Sequence, residues 1–432
     1  MDRFSIRSDR RQSPLAMSDL EKDLFRRFIG RTAHTVPYDS AGLAALEIGI
    51  PGLALHSPPL MSSVLAFAAA HKCADLLDNY EDISRTGEAV LELLTFAETH
   101  YRRSVQLAQV DIGDERRRDY VFANAAMMVG YGLASHCVTI RLWQAQGMSP
   151  RPSGLRYATL IRASYLAYAG LAFAHGSTEA LKAPNVGGFS MLSPIGRQHS
   201  PSEDPPAIPV LKADRQHPLY ETLRATYQTA LLDLRARMNA AREATACREE
   251  SRKDSSCDWC TCDATLAEMC RILDAIFAGV AVSTSGNAAP KCGWADLSPW
   301  LRRFVQQAVA SPGQPPIRFL IQNFVHRVPT KFLQMVDREL GGVSSNEAIH
   351  ADSEPGGLIT GTCAATHLAL DIFAHWLVLL LLLDEVWWYG PIGEYELEQA
   401  ITRLRKGREC TQKERRQTAY WPESMRAIYQ TL

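Results

Sequence analysis

"HWLVLLLLLDEVWW", residues 375–388, decides how the chain is read. Trp376 to Leu383 are eight consecutive apolar residues, followed by Asp384, Glu385 and the pair Trp387–Trp388. Spanning a bilayer takes about 20 mostly apolar residues. Extending the run backward through "CAATHLALDIFAH" brings in His367, Asp371 and His375, and extending it forward meets the two acids. The stretch therefore reads as a helix buried on nearly all sides inside a larger core, with no membrane span. Such a helix is central to its domain.

The rest of the chain is patterned to surround it. At 432 residues and 46% apolar, it is long enough to bury a substantial core as one large domain or a few smaller ones. Ser18 opens "SDLE", a capping box, and Leu20, Leu24, Phe25, Phe28 and Ile29 recur at helical spacing behind it. Ser57 then caps the Ala-rich "PPLMSSVLAFAAAHKCADLL", with Pro58 at the first helical position. "TGEAVLELLTFAETHYRRSVQLAQV" sets Val90, Leu94, Ala97, Tyr101, Val105 and Ala108 on one face, and "RDYVFANAAMMVGYGLASHCVTIRLWQA" supplies another long helix. Short links make these antiparallel neighbours, and no sustained alternation of β-branched residues leaves room for a sheet. The expected fold is all-α: a multi-helix antiparallel array of paired helices, bundle- or solenoid-like. A tail at 1–17 reads as disordered, and a helical body covers 18–432. Pro-, Gly- and Ser-rich 183–218 and small, charged 245–264 read as flexible inserts within it.

Composition excludes some functions. A net charge of -1 gives no whole-chain basic field to hold a phosphate backbone. The charged first residues have no apolar segment of the secretory kind, so an intracellular protein is expected, with thiols such as Cys73, Cys137 and Cys363 as small buried hydrophobes. Glycine-rich phosphate loops, G-x-S-x-G and H-E-x-x-H are all missing from the sequence, and its acids and histidines suggest no acid–base pair. No catalytic residue, cofactor or metal is assigned.

Three constellations still need weighing. His367, Asp371 and His375 are four apart, so on a helix they share a side; they read as a polar stripe bonding neighbouring helices, or as metal ligands. Cys257, Cys260 and Cys262, flanked by Cys247 and Cys270, are too irregular for a zinc motif and read as a loop with incidental thiols. Seven basic residues between Arg403 and Arg416 are interleaved with glutamates, as on a solvated surface; an importin-read address or a phosphate contact is the other reading.

"LALDIFAHWLVLLLLLDEVWWYGPIGEYELEQAI" with the terminal "YWPESMRAIYQTL" resembles the C-terminal signature of the fungal-specific transcription factor regulatory domain, which lies behind the binuclear zinc cluster. "LFRRFIGRTAHTVPYD", "IPGLALHSPPLMSSVLAFAAAHKC" and "AETHYRRSVQLA" resemble that domain's first three helices in the same order. The likeness covers roughly residues 20–430. The six-cysteine DNA-reading module of that family is not found in this sequence, so the chain resembles the regulatory body without its DNA-binding head. The resemblance implies an all-helical fold, nuclear residence and pathway-specific control of transcription. It also implies partners in the transcription machinery or another DNA-binding regulator, and an apolar small-molecule effector. Trp376, Trp387 and Trp388 are the candidate lining of its pocket. The alternative is a helical lipid- or small-molecule-binding protein or enzyme with a pocket at the same tryptophans.

Overall fold

The computed structural model describes residues 17–37, 39–79, 83–112, 114–147, 158, 162, 216–246, 256–278, 297–309, 317–340, 364–409 and 420–432. Among the described residues there are thirteen helices and no strand. In chain order they are α1 (Asp19–Arg27), α2 (Ser40–Ala54), α3 (Pro58–Asn79), α4 (Ile83–Asp111), α5 (Arg118–Ala145) and α6 (Leu219–Ala246). Next come α7 (Ser256–Phe277), α8 (Pro299–Val309), α9 (Ile317–Arg327), α10 (Thr330–Glu339), α11 (Ala364–Leu380), α12 (Ile392–Glu409) and α13 (Trp421–Tyr429). The tail at 1–16 and most of the first insert, 183–215, lie outside the described residues.

The capping signals act as their chemistry requires. Glu21 N donates to Ser18 Oγ at 3.3 Å while Ser18 N donates to the Glu21 carboxylate at 2.7 Å, so α1 starts on a closed box. Leu60 N donates to Ser57 Oγ at 3.4 Å at the head of α3. Both early helices carry a widened π turn, Phe28–Thr32 after α1 and Ala45–Gly49 within α2. The second ends two residues before Pro51, whose ring would crowd the carbonyl four residues back, that of Glu47 within the π turn, in a regular helix.

Two groups of helices make the body. α3 lies against α1, α2, α4 and α5. Its alanines, Ala66, Ala68, Ala69 and Ala70, are fully buried, and that lack of bulk lets neighbours approach from several sides. In the second group α11 lies against α6, α7, α9, α10, α12 and α13. All of α11 except Ala364 and His367 is buried, and Leu381–Leu383 extend it as one 3₁₀ turn, also buried. α12 comes so close behind it that a Cβ on Gly393 would sit 2.9 Å from the Leu380 carbonyl carbon. Trp376 seals the centre: it stacks on Phe324 of α9 at 5.4 Å and leans on Phe373, and its Nε1 donates to the Ile321 carbonyl at 3.0 Å.

Two expectations are corrected. The length argument against a membrane span fails, because the apolar helix is not eight residues but the 20 of Ala364–Leu383; Pro58–Asn79 and Arg118–Ala145 are also long and apolar enough to cross a membrane. In the folded chain 94% of the Ala364–Leu383 window is buried, so other helices of the same chain cover it. The second insert is also shorter than 245–264. Residues 247–255 lie outside the described residues, but 256–264 begin α7, with Trp259 and Cys262 buried. Trp259, Cys262, Leu266, Met269 and Leu273 recur every three or four residues, and this buried face overrides the loop-like composition around it.

Replacing Trp376 with alanine removes the indole from a site that solvent barely reaches. We expect Trp376→Ala to lower the unfolding free energy by about 3–5 kcal/mol. Urea titration reads this as a lower midpoint at unchanged slope, and a loss under about 1 kcal/mol would place the indole outside the core.

Candidate functional site

The turn after α11 joins the two helix groups. Trp387 projects from it onto α3, stacking on Phe67 at 5.6 Å and packing at a tilt against His71 at 4.6 Å, with Trp388 edge-on at 5.6 Å. Its Nε1 donates to Thr35 Oγ1 at 2.9 Å, just beyond the π turn at the end of α1. Its carbonyl accepts from Cys137 Sγ of α5 at 3.1 Å. One indole residue thus reaches three elements of the N-terminal group. Gly390 closes the turn at φ 39°, the left-handed region where a side chain is strained, and a Cβ there would lie 2.9 Å from the Cys137 sulfur.

Under Trp387 sits a buried histidine. The π turn brings Thr32 Oγ1 to 2.9 Å from His71 Nδ1, and Nε2 faces the Asp75 carboxylate at 3.6 Å. Arg27 and Arg31 both pair with the same carboxylate. Burial first, and then the positive Arg27 and Arg31, push the imidazole down to about 4 against the opposing pull of Asp75. His71 is therefore neutral at neutral pH. Burial also pushes the Cys73 and Cys137 thiols up to about 12, which leaves little thiolate at either.

The second polar cluster is the stripe on α11, and its three residues separate. His367 turns to Glu339 of α10 at 3.7 Å. Asp371 takes two bonds from Arg237 of α6, Nε at 2.9 Å and Nη2 at 3.3 Å, and a third from the Tyr420 hydroxyl at 2.7 Å. His375 donates from Nδ1 to the Asp371 carbonyl at 2.8 Å, and its ring stacks on Trp421 at 5.4 Å. Burial alone would raise the Asp371 carboxyl. Coulombic attraction from His375 and Arg237, with the bonds from Arg237 and Tyr420, outweighs it and holds the group below the ordinary carboxylate range. A carboxylate so held is a weak base and a strong anchor.

Of the three tryptophans, Trp387 and Trp388 meet edge-on, while Trp376 stacks on Phe324 of α9. Among the described residues no group of three or more His, Cys, Asp or Glu is placed to hold a metal. In the cysteine cluster Cys260 is exposed and Cys262 buried on α7, a helix where the composition reads as a loop; Cys247 and the Cys257 side chain lie outside the described residues. In the basic segment Arg403 Nε donates to the Glu339 carbonyl at 2.8 Å and Arg405 pairs with Glu423 at 2.9 Å, so these two bind the body. Sequence reasoning missed His71, Thr35 and Arg237. A lone histidine inside "AAAHKC" was a readable signal, whereas Arg237 in "LRARMN" is indistinguishable from its solvated neighbours.

His71 makes stability depend on pH with a definite sign. Its folded pKa lies below the ordinary 6.5, so the contribution is complete above about 6.5 and is lost as pH falls toward about 4, where the unfolded chain takes up a proton that the folded chain refuses. Burial pushes His100 and His326 the same way. The thermal midpoint should fall between pH 7 and pH 4.5, and a His71→Gln chain should fall less steeply. A His71→Gln profile parallel to that of the native chain would contradict the assignment.

Compared with known proteins, the chain stands apart: no protein-family model matches it, and neither does any curated protein or solved structure.

Proposed function

We propose that the chain is a helical regulatory module that controls transcription in the nucleus through partner proteins. It would act on the transcription machinery or with another regulator that reads DNA, with an apolar small molecule as effector. The observation supporting this is where the resembling sequence blocks meet. Trp387, from the C-terminal signature, is bonded to Thr35 of the first block and packed on Phe67 and His71 of the second. The final block returns to the signature helix through Tyr420 and Asp371. Segments far apart in sequence that share one family-like pattern also share one set of contacts, as expected of a single inherited unit.

The site's chemistry fits binding better than turnover. Asp371 is committed to three donors, His71 is neutral and the buried thiols are protonated, so these groups are suited to holding helices at fixed angles. Trp387 is one contact through which a change in one helix group would reach the other, beside the His136–Glu396 pair of α5 and α12 at 2.9 Å.

Fusing the whole chain to a heterologous DNA-binding domain tests the reading. The fusion should change expression of a reporter carrying the matching site, up or down, relative to the DNA-binding domain alone, and Trp387→Ala should reduce that change at equal protein level. A reporter unmoved by a folded fusion would sink the proposal.

A further inference from the structure

Two neighbouring residues of α5 reach across to the C-terminal helix group. Cys137 bonds to the Trp387 carbonyl, and His136, the residue before it, meets Glu396 near the start of α12 with Nε2 2.9 Å from Oε1. A carboxylate only accepts hydrogen bonds, so the nitrogen facing it carries the proton. Glu396 is 2% exposed, so its charge is answered inside the protein, in part by a side chain from the other group. The Tyr395 ring stands edge-on to the same imidazole at 6.4 Å.

Each partner is locked to its own group. α12 sits against the backbone of α11 at Gly393, where a Cβ would lie 2.9 Å from the Leu380 carbonyl carbon. α5 takes the Phe67 ring of α3 into a slot at Gly130, where a Cβ would lie 3.1 Å from that ring, and Trp387 stacks on the same ring. A shift of one group against the other therefore draws His136 from Glu396 as it draws Trp387 from Phe67. α5 is also tied near its opposite end, where Ser298 N, just before α8, donates to Asp119 at 3.2 Å, so parting at His136 opens the seam locally and does not separate the groups.

We propose that His136 and Glu396 are positioning residues that hold the two helix groups in the one docking in which Trp387 is seated on α3. Docked without His136, Glu396 is a desolvated carboxylate short of a partner, and the chain relieves it by parting the seam and admitting water. A neutral amide at position 396 is far cheaper to bury, so removing the charge restores what removing the histidine has lost. A contact that acted through shape alone would behave differently, because a second substitution in it would add to the damage of the first. Holding the docking needs only these contacts; its bearing on regulation rests on the transcriptional reading.

Cys137 reports the docking directly. It is fully buried and bonded to the Trp387 carbonyl, so a maleimide reaches it only when this contact parts. Labelling is followed on the full chain under native conditions, with each cysteine identified by mass spectrometry. His136→Ala should label at Cys137 about tenfold faster than the native chain, and His136→Ala combined with Glu396→Gln should return to within about threefold of native. Cys260, exposed on α7, should label alike in all three chains. Should His136→Ala not fold, His136→Leu keeps the bulk and leaves the carboxylate equally short of a partner, and the same comparison is made with it. In the tethered reporter, His136→Ala should reduce the response and the double substitution should recover it. A Cys137 rate unchanged by His136→Ala, or a double variant that labels as fast as His136→Ala, overturns the proposal whatever the reporter does. The expected labelling, with a reporter that the native fusion does not move, upholds the positioning role and sinks the transcriptional reading instead.

Discussion

A carboxylate enters an apolar interior only if its charge is answered there. Asp371 stands five residues before Trp376 on a largely apolar helix, and it is 5% exposed. Its position decides what must lie alongside. Arg237 has to arrive on α6 from one direction and Tyr420 from another, each at a fixed distance, because loss of either leaves a desolvated charge under-bonded. Apolar packing would tolerate α11 rotated by some tens of degrees or slid by a turn. The Arg237–Asp371–Tyr420 set does not, and it ties α6 and the start of α13 to one face of α11.

The N-terminal group is fixed to this assembly by a second orienting contact of different character. Trp387 combines packing on Phe67 and His71 with a directional bond to Thr35, and Trp388 braces it edge-on. Large aromatic surfaces bind without much lost rotamer freedom, and the indole N–H gives them one permitted orientation. Thr32, in the π turn that follows α1, and Thr35, just beyond it, bond to His71 and to the indole respectively.

Much of this is legible in the chain. The capping box at Ser18, the N-cap at Ser57, the helical spacing of α3 to α5 and the burial of the 376–383 run all obey local rules, because each depends on residues within a few turns of one another. Other features depend on distant partners and leave weaker marks. Trp376 and Trp387 are alike in composition and eleven apart in sequence, yet one fills the centre and the other spans two groups; which is which is decided by α9 and α3, elements hundreds of residues away for the latter. Arg237 looks like any basic residue on a solvated helix until Asp371 is placed opposite. The start of α7 reads as a loop because polar residues dominate it by count, while Trp259 and Cys262, which decide its state, are few.

α11 and α13 differ in how much of their attachment is apolar burial and how much is directional bonding. Interior helices here are held by surface that water cannot replace, so their separation carries the full hydrophobic cost. α13 is held in both ways: Pro422 and Met425 are buried and Trp421, Ile428 and Tyr429 pack on the core, while Trp421 and Tyr429 also donate hydrogen bonds to α6 and to Asp384. Both kinds of attachment meet at Asp371. The carboxylate needs the interior to be buried and needs Tyr420 to be satisfied, so the same residue that fixes the register of the core is also the one that reports whether the last helix is in place.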